Sequence, residues 1–276
     1  MMTDEQQLQR WREALAEQPT GWDVSALAGF RETEPPWRWR TLVENLAPMA
    51  DRVLDLGTGR GEVLASLADV LPEGTTATEG RASHLPAARE RLTPLGIEVH
   101  EHDPEAAGSR LPFADAAFGL VLNRHGAFDA TDVARLLRPG GTFLTQQVGR
   151  DDGHEIRELF GMDDPKEEET LESTVHALTR AGLRVDRADT FHGHFEFDDV
   201  PTFLRYLRRA PWDAPEDFDV DGYRDMLEHL QAQVRKGPFS ATVSRYLVQA
   251  SAPETPDAGR TDFSALLGEQ LDVPRV

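Results

Sequence analysis

The chain has 276 residues, enough for one elaborated α/β domain or two smaller ones, and 29 Lys and Arg against 49 Asp and Glu leave a formal net charge of −20. Such a field repels phosphate backbones and makes nucleic acid an unexpected partner, while the lack of cysteine removes disulfides, thiolate metal sites and any cysteine nucleophile. The N-terminus is charged and helical in pattern, and no apolar run approaches the ~18 residues of a membrane span, so a cytoplasmic protein without membrane attachment is expected.

Residues 1–48 predict a helical extension: an amphipathic stretch from Gln6 to Glu17, a Pro-Thr-Gly break, and EPPWRWRTLVENLAP. From Asp51 short apolar runs alternate with helical segments, the pattern of a parallel sheet covered on both faces. The runs are RVLDLG, TTATE, IEVHEH, FGLVLN and GTFLTQQV, with helices expected near 61–70, 83–93 and 129–137. Thr131 or Asp132 is the expected start of the third helix, and Pro139-Gly140-Gly141 the turn that closes it. After Val148 an acidic run, DPKEEE, leads into a helix with apolar positions at Leu171, Val175 and Leu178 and a stop at Gly182. A strand LRVDRADTF follows. The final strand, ATVSRYLVQA, arrives much later, so residues 192–237 predict a cap inserted between the last two strands, with helices near 198–208 and 219–234. The tail 251–276, Pro-, Asp- and Gly-rich as far as FSALLGEQL, is expected to be peripheral.

The strongest chemical signal is VLDLGTGRGE, residues 53–62, a buried strand running into a glycine loop that opens a helix. Gly57, Gly59 and Gly61 let the chain turn sharply and bring its N–H groups close to a polar ligand. Dinucleotide enzymes use a similar turn, but GTGRG lacks their G-x-G-x-x-G spacing, which counts against nicotinamide chemistry. GTTATEG places Glu79 at the end of the next strand, where an acid can accept hydrogen bonds from ribose hydroxyls. Asp55 before the loop, His102-Asp103 at the end of the third strand, and LPFADAAFGLVLNRH followed by ARLLRPGGTFLTQQVG complete the pattern.

At these residues the chain resembles the class I S-adenosylmethionine-dependent methyltransferases, over about residues 50–150 and more loosely to 250. The resemblance implies a Rossmann-like α/β fold: a seven-stranded, mostly parallel sheet with helices on both faces. It implies S-adenosylmethionine as cofactor and S-adenosylhomocysteine as product. The family's D-x-G-x-G-x-G loop, which embraces the methionine part, maps onto Asp55, Gly57, Gly59 and Gly61, with Thr58 between. The acid that holds the ribose maps onto Glu79, beside Gly80, and the acid that approaches the adenine amino group onto Asp103. Leu111-Pro112-Phe113 match the turn before the fourth strand. The end of that strand, Asn123-Arg124-His125, lies where the reacting methyl is expected, and Asn123 joins the cofactor-binding set. Gly119 departs from the family's F-D-L-V and leaves the fourth strand without its acid. The domains expected are the extension 1–48, a cofactor-binding methyltransferase domain over 49–191 and 238–250, the cap 192–237 and the tail 251–276. PWRWR and PWDAPEDFDVDGYRDML also look like a bacterial subgroup of undefined substrate.

Methyl transfer from a sulfonium is an in-line displacement, so alignment and water exclusion carry most of it and a base is optional. For a hydroxyl or ammonium acceptor a histidine is the natural proton acceptor. His125 is the first candidate. FHGHFEF offers two more, because period two puts His192, His194 and Glu196 on one face and Phe191, Gly193, Phe195 and Phe197 on the other. Those three polar side chains spread over ~13 Å, so no metal site is expected. Arg124 is placed either to orient an acidic acceptor or in an ion pair at the sheet. Arg60 either meets the cofactor carboxylate or faces water. Trp37, Trp39 and Arg40 either cover the cofactor site or pack the extension, and Tyr206, Trp212 and Phe218 either line the cap pocket or form its core. The expected activity is methylation of a small molecule at oxygen or nitrogen, in natural-product or related metabolism. The alternatives are an RNA methyltransferase, or a repurposed fold that binds only or catalyses another reaction such as cyclisation.

Overall fold

The computed structural model describes residues 3–18, 24, 26–104, 106, 108–163 and 170–254. The Pro-Thr-Gly break, the DPKEEE run and FSALLGEQL in the tail fall on residues outside these. Helix α1 (Asp4–Ala16) opens with a capping box in which the Thr3 hydroxyl accepts from the Gln6 amide and the Gln6 side chain accepts from the Thr3 amide. It buries Leu8, Trp11 and Ala14, three apolar positions at helical spacing. There follow β1 (Phe30–Glu32), α2 (Trp39–Leu46), β2 (Val53–Leu56), α3 (Glu62–Ser66), β3 (Thr76–Glu79), α4 (Leu85–Leu92) and β4 (Glu98–Glu101). Next come β5 (Phe118–Arg124), α5 (Ala130–Leu136), β6 (Leu137–Val148), α6 (His154–Phe160), α7 (Leu171–Arg180), β7 (Arg184–Phe197), α8 (Val200–Leu207), α9 (Arg224–Val234) and β8 (Phe239–Ser251). Among the described residues no helix is long and apolar enough to cross a membrane.

The strands form one sheet in the order β1-β7-β8-β6-β5-β2-β3-β4. All seven strands expected from the apolar runs are present. The eighth, β1, pairs antiparallel with the end of β7, Phe30 opposite Phe197 and Glu32 opposite Phe195. Three residues are too short to announce a strand by alternation. β2 lies parallel to β3 and β5, and β3 parallel to β4. The order therefore reverses beside β2, the place where open α/β sheets bind ligands at their carboxyl ends.

Several boundaries differ from expectation. β7 runs on through His192-Gly193-His194 to Phe197, so the cap helices begin after it rather than at 192; the FHGHFEF alternation continues the strand's own period. β6 starts at Leu137 and includes Pro139-Gly140-Gly141, expected as a turn. The glycine backbone is paired there, with the Gly140 amide donating to the Pro253 carbonyl and the Ala252 amide to that of Gly141. α3 is shorter than the expected 61–70 because bonds from the Leu67 and Ala68 amides to the carbonyls three residues back tighten its last turn. α5 starts at Ala130, with the Asp129 carboxylate capping the Asp132 amide at 2.7 Å.

The chain divides into two compact units: residues 1–43, 145–176 and 187–248, and residues 44–144, 177–186 and 249–276. In the first, α1 and the cap share one core instead of forming separate appendages. Leu8 and Trp11 cluster with Phe195, Phe197, Phe203, Leu204, Tyr206 and Leu227. Rings of Phe30, Phe197 and Tyr206 lie 5.1 to 5.7 Å apart. In the second unit Leu64, Ala77, Leu85, Ala88, Leu92, Ile97 and Val99 pack α3 and α4 on β3 and β4.

Candidate functional site

The glycine loop leaves β2, whose four residues are all buried, and is tied to β3 by its own backbone. The Thr58 amide donates to the Thr78 carbonyl at 2.8 Å and the Gly59 amide to Glu79 Oε2 at 2.6 Å. Gly57, Gly59 and Gly61 have φ of 69, 63 and 80°, conformations a side chain disfavours. Only Gly61 is also crowded, since a Cβ there would meet Leu92 Cγ at 2.9 Å. Around Gly59 nothing lies within 4 Å of that position, so the middle of the loop is an open cradle of backbone. Arg60 is half-exposed at the loop's outer side, 4.0 Å from Glu62, with its carbonyl accepting from Arg91.

Two buried carboxylates face this loop. Glu79, 5% exposed, accepts from Gly59 and, through Oε1, from the Arg81 amide at 2.7 Å, with His84 Nδ1 3.6 Å away. Burial pushes the Asp55 carboxyl up to about 7; the Thr58 hydroxyl and Arg124 pull it down, and the Glu79 charge adds to the rise. Gly80 follows because β3 and β4 end together: a Cβ there would lie 2.9 Å from the His102 carbonyl and 3.0 Å from Asp103 Cα. Asp103 is exposed at the end of β4, and its carbonyl accepts from the Ser109 hydroxyl. Burial pushes the neighbouring His102 imidazole down, against the pull of Asp132 and Asp103.

Asp132 and Arg135, which the sequence analysis did not single out as functional, hold the turn before β5. Asp132 Oδ2 accepts from the Leu111 amide at 2.6 Å and Oδ1 from Arg135 Nε at 2.7 Å. Arg135 also donates to the carbonyls of Phe113 and Leu111. Phe113 is thereby set edge-on between His100 and Phe118, at 5.1 and 5.2 Å. The only signal was an acid and an arginine three apart in TDVAR. Gly119 has a spatial cause, because a Cβ would meet Arg138 Nε at 3.0 Å and Ala50 Cα at 3.1 Å. Arg138 reaches Asp51 at 3.3 Å, so the pairing lies beside the strand instead of on it.

At the end of β5, Asn123 is fully buried and its amide donates to the Leu56 carbonyl at 3.2 Å, joining β5 to the root of the loop. Gly126 packs on this bond, 3.2 Å from Asn123 Nδ2 by its missing Cβ. Arg124 is half-buried. His125 is exposed and has φ 58°, a left-handed conformation rare for histidine.

His192 and His194 belong to the other unit, exposed on one face of β7 as the alternation predicted. They face different acids: His192 Nε2 lies 3.3 Å from Asp151, and His194 Nε2 3.9 Å from Glu196. Among the described residues no three His, Cys, Asp or Glu side chains gather as a metal site. Trp37 is buried, donating from Nε1 to Gln146 at 2.8 Å with its ring edge-on to Phe191, whereas Trp39 is half-buried and Arg40 exposed. Tyr206 belongs to the aromatic core and Phe218 packs on it, while Trp212 is 59% exposed. Beneath the loop after β6 lies a polar cluster absent from the sequence analysis. Asp152 accepts from the Ser244 amide and from Arg245, Arg157 donates to the carbonyls of Asp152 and Arg150, and the Tyr206 hydroxyl donates to Asp213 at 2.8 Å. Burial pushes the Asp213 carboxyl up to about 6, and the Asp152 carboxyl and Tyr206 phenol up as well.

Residues 53–141 match a family model described as a methyltransferase domain. The chain is 28% identical over 129 residues to the ubiquinone/menaquinone biosynthesis C-methyltransferase UbiE of Pseudoalteromonas translucida, covering 44% of this chain and 51% of that protein. It is 30% identical over 131 residues to the demethylmenaquinone methyltransferase of Roseiflexus castenholzii, covering 41% and 50%. It thus spans about half the length of these curated relatives. Among solved structures, the YcgJ protein of Bacillus subtilis aligns with a TM-score of 0.55 at 17% identity, over 78% of this chain and 98% of that one. A functionally unknown protein from Deinococcus radiodurans R1 aligns with 0.53 at 20% identity, over 80% and 90%. At such identities both show the shared Rossmann-like fold alone.

Proposed function

We propose, for a chain that carries the methyltransferase domain of the class I S-adenosylmethionine-dependent family, that it transfers a methyl group to a small-molecule acceptor and releases S-adenosylhomocysteine. The observation that carries this is the loop of three left-handed glycines held on buried Glu79 at the carboxyl ends of β2 and β3. The residues fit an adenosyl ligand: an open backbone cradle at Gly59, a buried acid ending β3, and an exposed acid ending β4. When bound, the cofactor supplies an electrophilic methyl on a sulfonium.

The backbone of Gly57, Thr58, Gly59 and Gly61 embraces the methionine part, with Asp55 behind it. Glu79 and Gly80 take the ribose, and Asp103 the adenine edge. Asn123 acts by fixing the end of β5 against the loop. The acceptor is methylated at oxygen or nitrogen, and a histidine takes its proton: His125 first, then His192 or His194. A carbon acceptor is the second reading, favoured by the relative named a C-methyltransferase. The −20 charge weighs against an RNA acceptor.

Isothermal titration with S-adenosylmethionine, S-adenosylhomocysteine and NADH tests the cofactor. Binding of the first two alone supports the proposal, and binding of NADH alone or of none overturns it. A panel of phenol, amine and quinol acceptors then separates oxygen, nitrogen and carbon transfer by product mass and position.

A further inference from the structure

Along one side β7 meets β8, but along the other β1 covers only Phe195–Phe197. One further bond runs from the Thr33 amide to the His194 carbonyl. From Arg184 to Gly193 no strand borders that side among the described residues. Exposed and half-buried positions alternate along this stretch without a break, so no bulge shifts its phase. Because His194 presents its carbonyl to β1, the residues at 192, 190, 188, 186 and 184 present their N–H and C=O groups to the open edge. Such an edge is a template for another strand unless its side chains forbid the match.

Here the side chains match a copy of themselves. Two identical strands paired antiparallel about a twofold axis normal to the sheet place residues of the same face opposite each other, so the axis falls on a residue. Centring on Asp186 or Asp189 sets two aspartates together, and centring on Arg187 two arginines. Centring on Ala188 sets Arg187 against Asp189 twice, Val185 against Phe191 twice and Asp186 against Thr190 twice, with two alanines at the axis. Arg187 and Asp189 already meet within one strand at 2.5 Å, so pairing would close a ring of alternating charge. We propose that a second copy of this chain pairs with the open edge of β7, antiparallel and centred on Ala188, to form a twofold dimer with a continuous sheet. The outward N–H and C=O groups of residues 186, 188 and 190 supply its hydrogen bonds.

Sedimentation velocity of the full chain over about a hundredfold range of concentration tests the proposal. The wild type is expected to dimerise. Arg187→Asp alone and Asp189→Arg alone place like charges opposite and should each weaken the dimer at least tenfold. An equimolar mixture of the two should recover it, because acid then faces base at every position although neither chain retains its internal pair. Ala188→Pro removes an outward N–H while leaving the β8 side intact, and should give a folded monomer by circular dichroism. A wild type that stays monomeric at every concentration overturns the proposal. So does a dimer that both single charge variants leave unchanged, or a mixture that fails to recover, and these hold even where Ala188→Pro does not fold.

Discussion

The Gly59 amide donates to Glu79 at 2.6 Å, so the acid that ends β3 clamps the loop that leaves β2. Glu79→Ala removes that acceptor and the one for Arg81, leaving two amides at a buried site. We expect S-adenosylhomocysteine affinity to fall at least tenfold by titration calorimetry and unfolding free energy to fall by about 2 kcal/mol. An unchanged dissociation constant with a lowered stability would leave Glu79 as a clamp only.

The loop glycines should respond unequally to alanine. Gly59→Ala meets only the cost of a left-handed backbone, about 1 kcal/mol. Gly61→Ala adds a collision with Leu92 and should cost about 3 kcal/mol. Chemical denaturation of both variants checks the order, and equal losses would mean that Leu92 moves freely.

Stability should carry a signature of Asp213. Its carboxyl titrates near 3.8 when unfolded and at about 6 when folded, so between these values the native state holds more protons. The group therefore costs stability as pH rises from about 4 to 6, by about 3 kcal/mol in total. Urea unfolding of wild type and Asp213→Asn at pH 4 and 8 isolates this, since asparagine still accepts from Tyr206. The variant should lose less stability on going to pH 8, and parallel behaviour would refute the assignment.

Arg135→Ala strands Asp132 and frees the carbonyls of Leu111 and Phe113, for an expected loss of about 3 kcal/mol. Arg135→Lys should recover less than half of it, because an ammonium cannot reproduce the guanidinium fork. Full recovery would reduce the contact to simple charge.

His125→Gly removes the side chain and relaxes the backbone at φ 58°. Cofactor affinity should stay unchanged, while turnover of an oxygen or nitrogen acceptor falls at least tenfold. Unchanged turnover would pass the proton to His192 or His194.

Much of the fold was readable along the chain. Among the seven apolar runs, VLDLG and FGLVLN mark strands because they are buried on both faces, and LRVDRADTF because its exposed and half-buried positions alternate with a period of two. The glycine loop and Glu79 were legible for a related reason, since the backbone conformations at 57, 59 and 61 leave little choice of residue. The short strand β1 was not, because it becomes a strand only through its pairing with Phe195–Phe197. Asp132 with Arg135, and Asp152 with Arg157, Asp213 and Arg245, were equally silent. Their partners are mostly backbone carbonyls and amides brought near by folding, and a carbonyl has no letter in the sequence. Local pattern thus determines strands and turns, whose causes lie within a few residues, while charge networks, edges and the shared core of α1 and the cap need contacts that only folding makes, from a separation of 21 between Leu111 and Asp132 to 109 between Trp37 and Gln146.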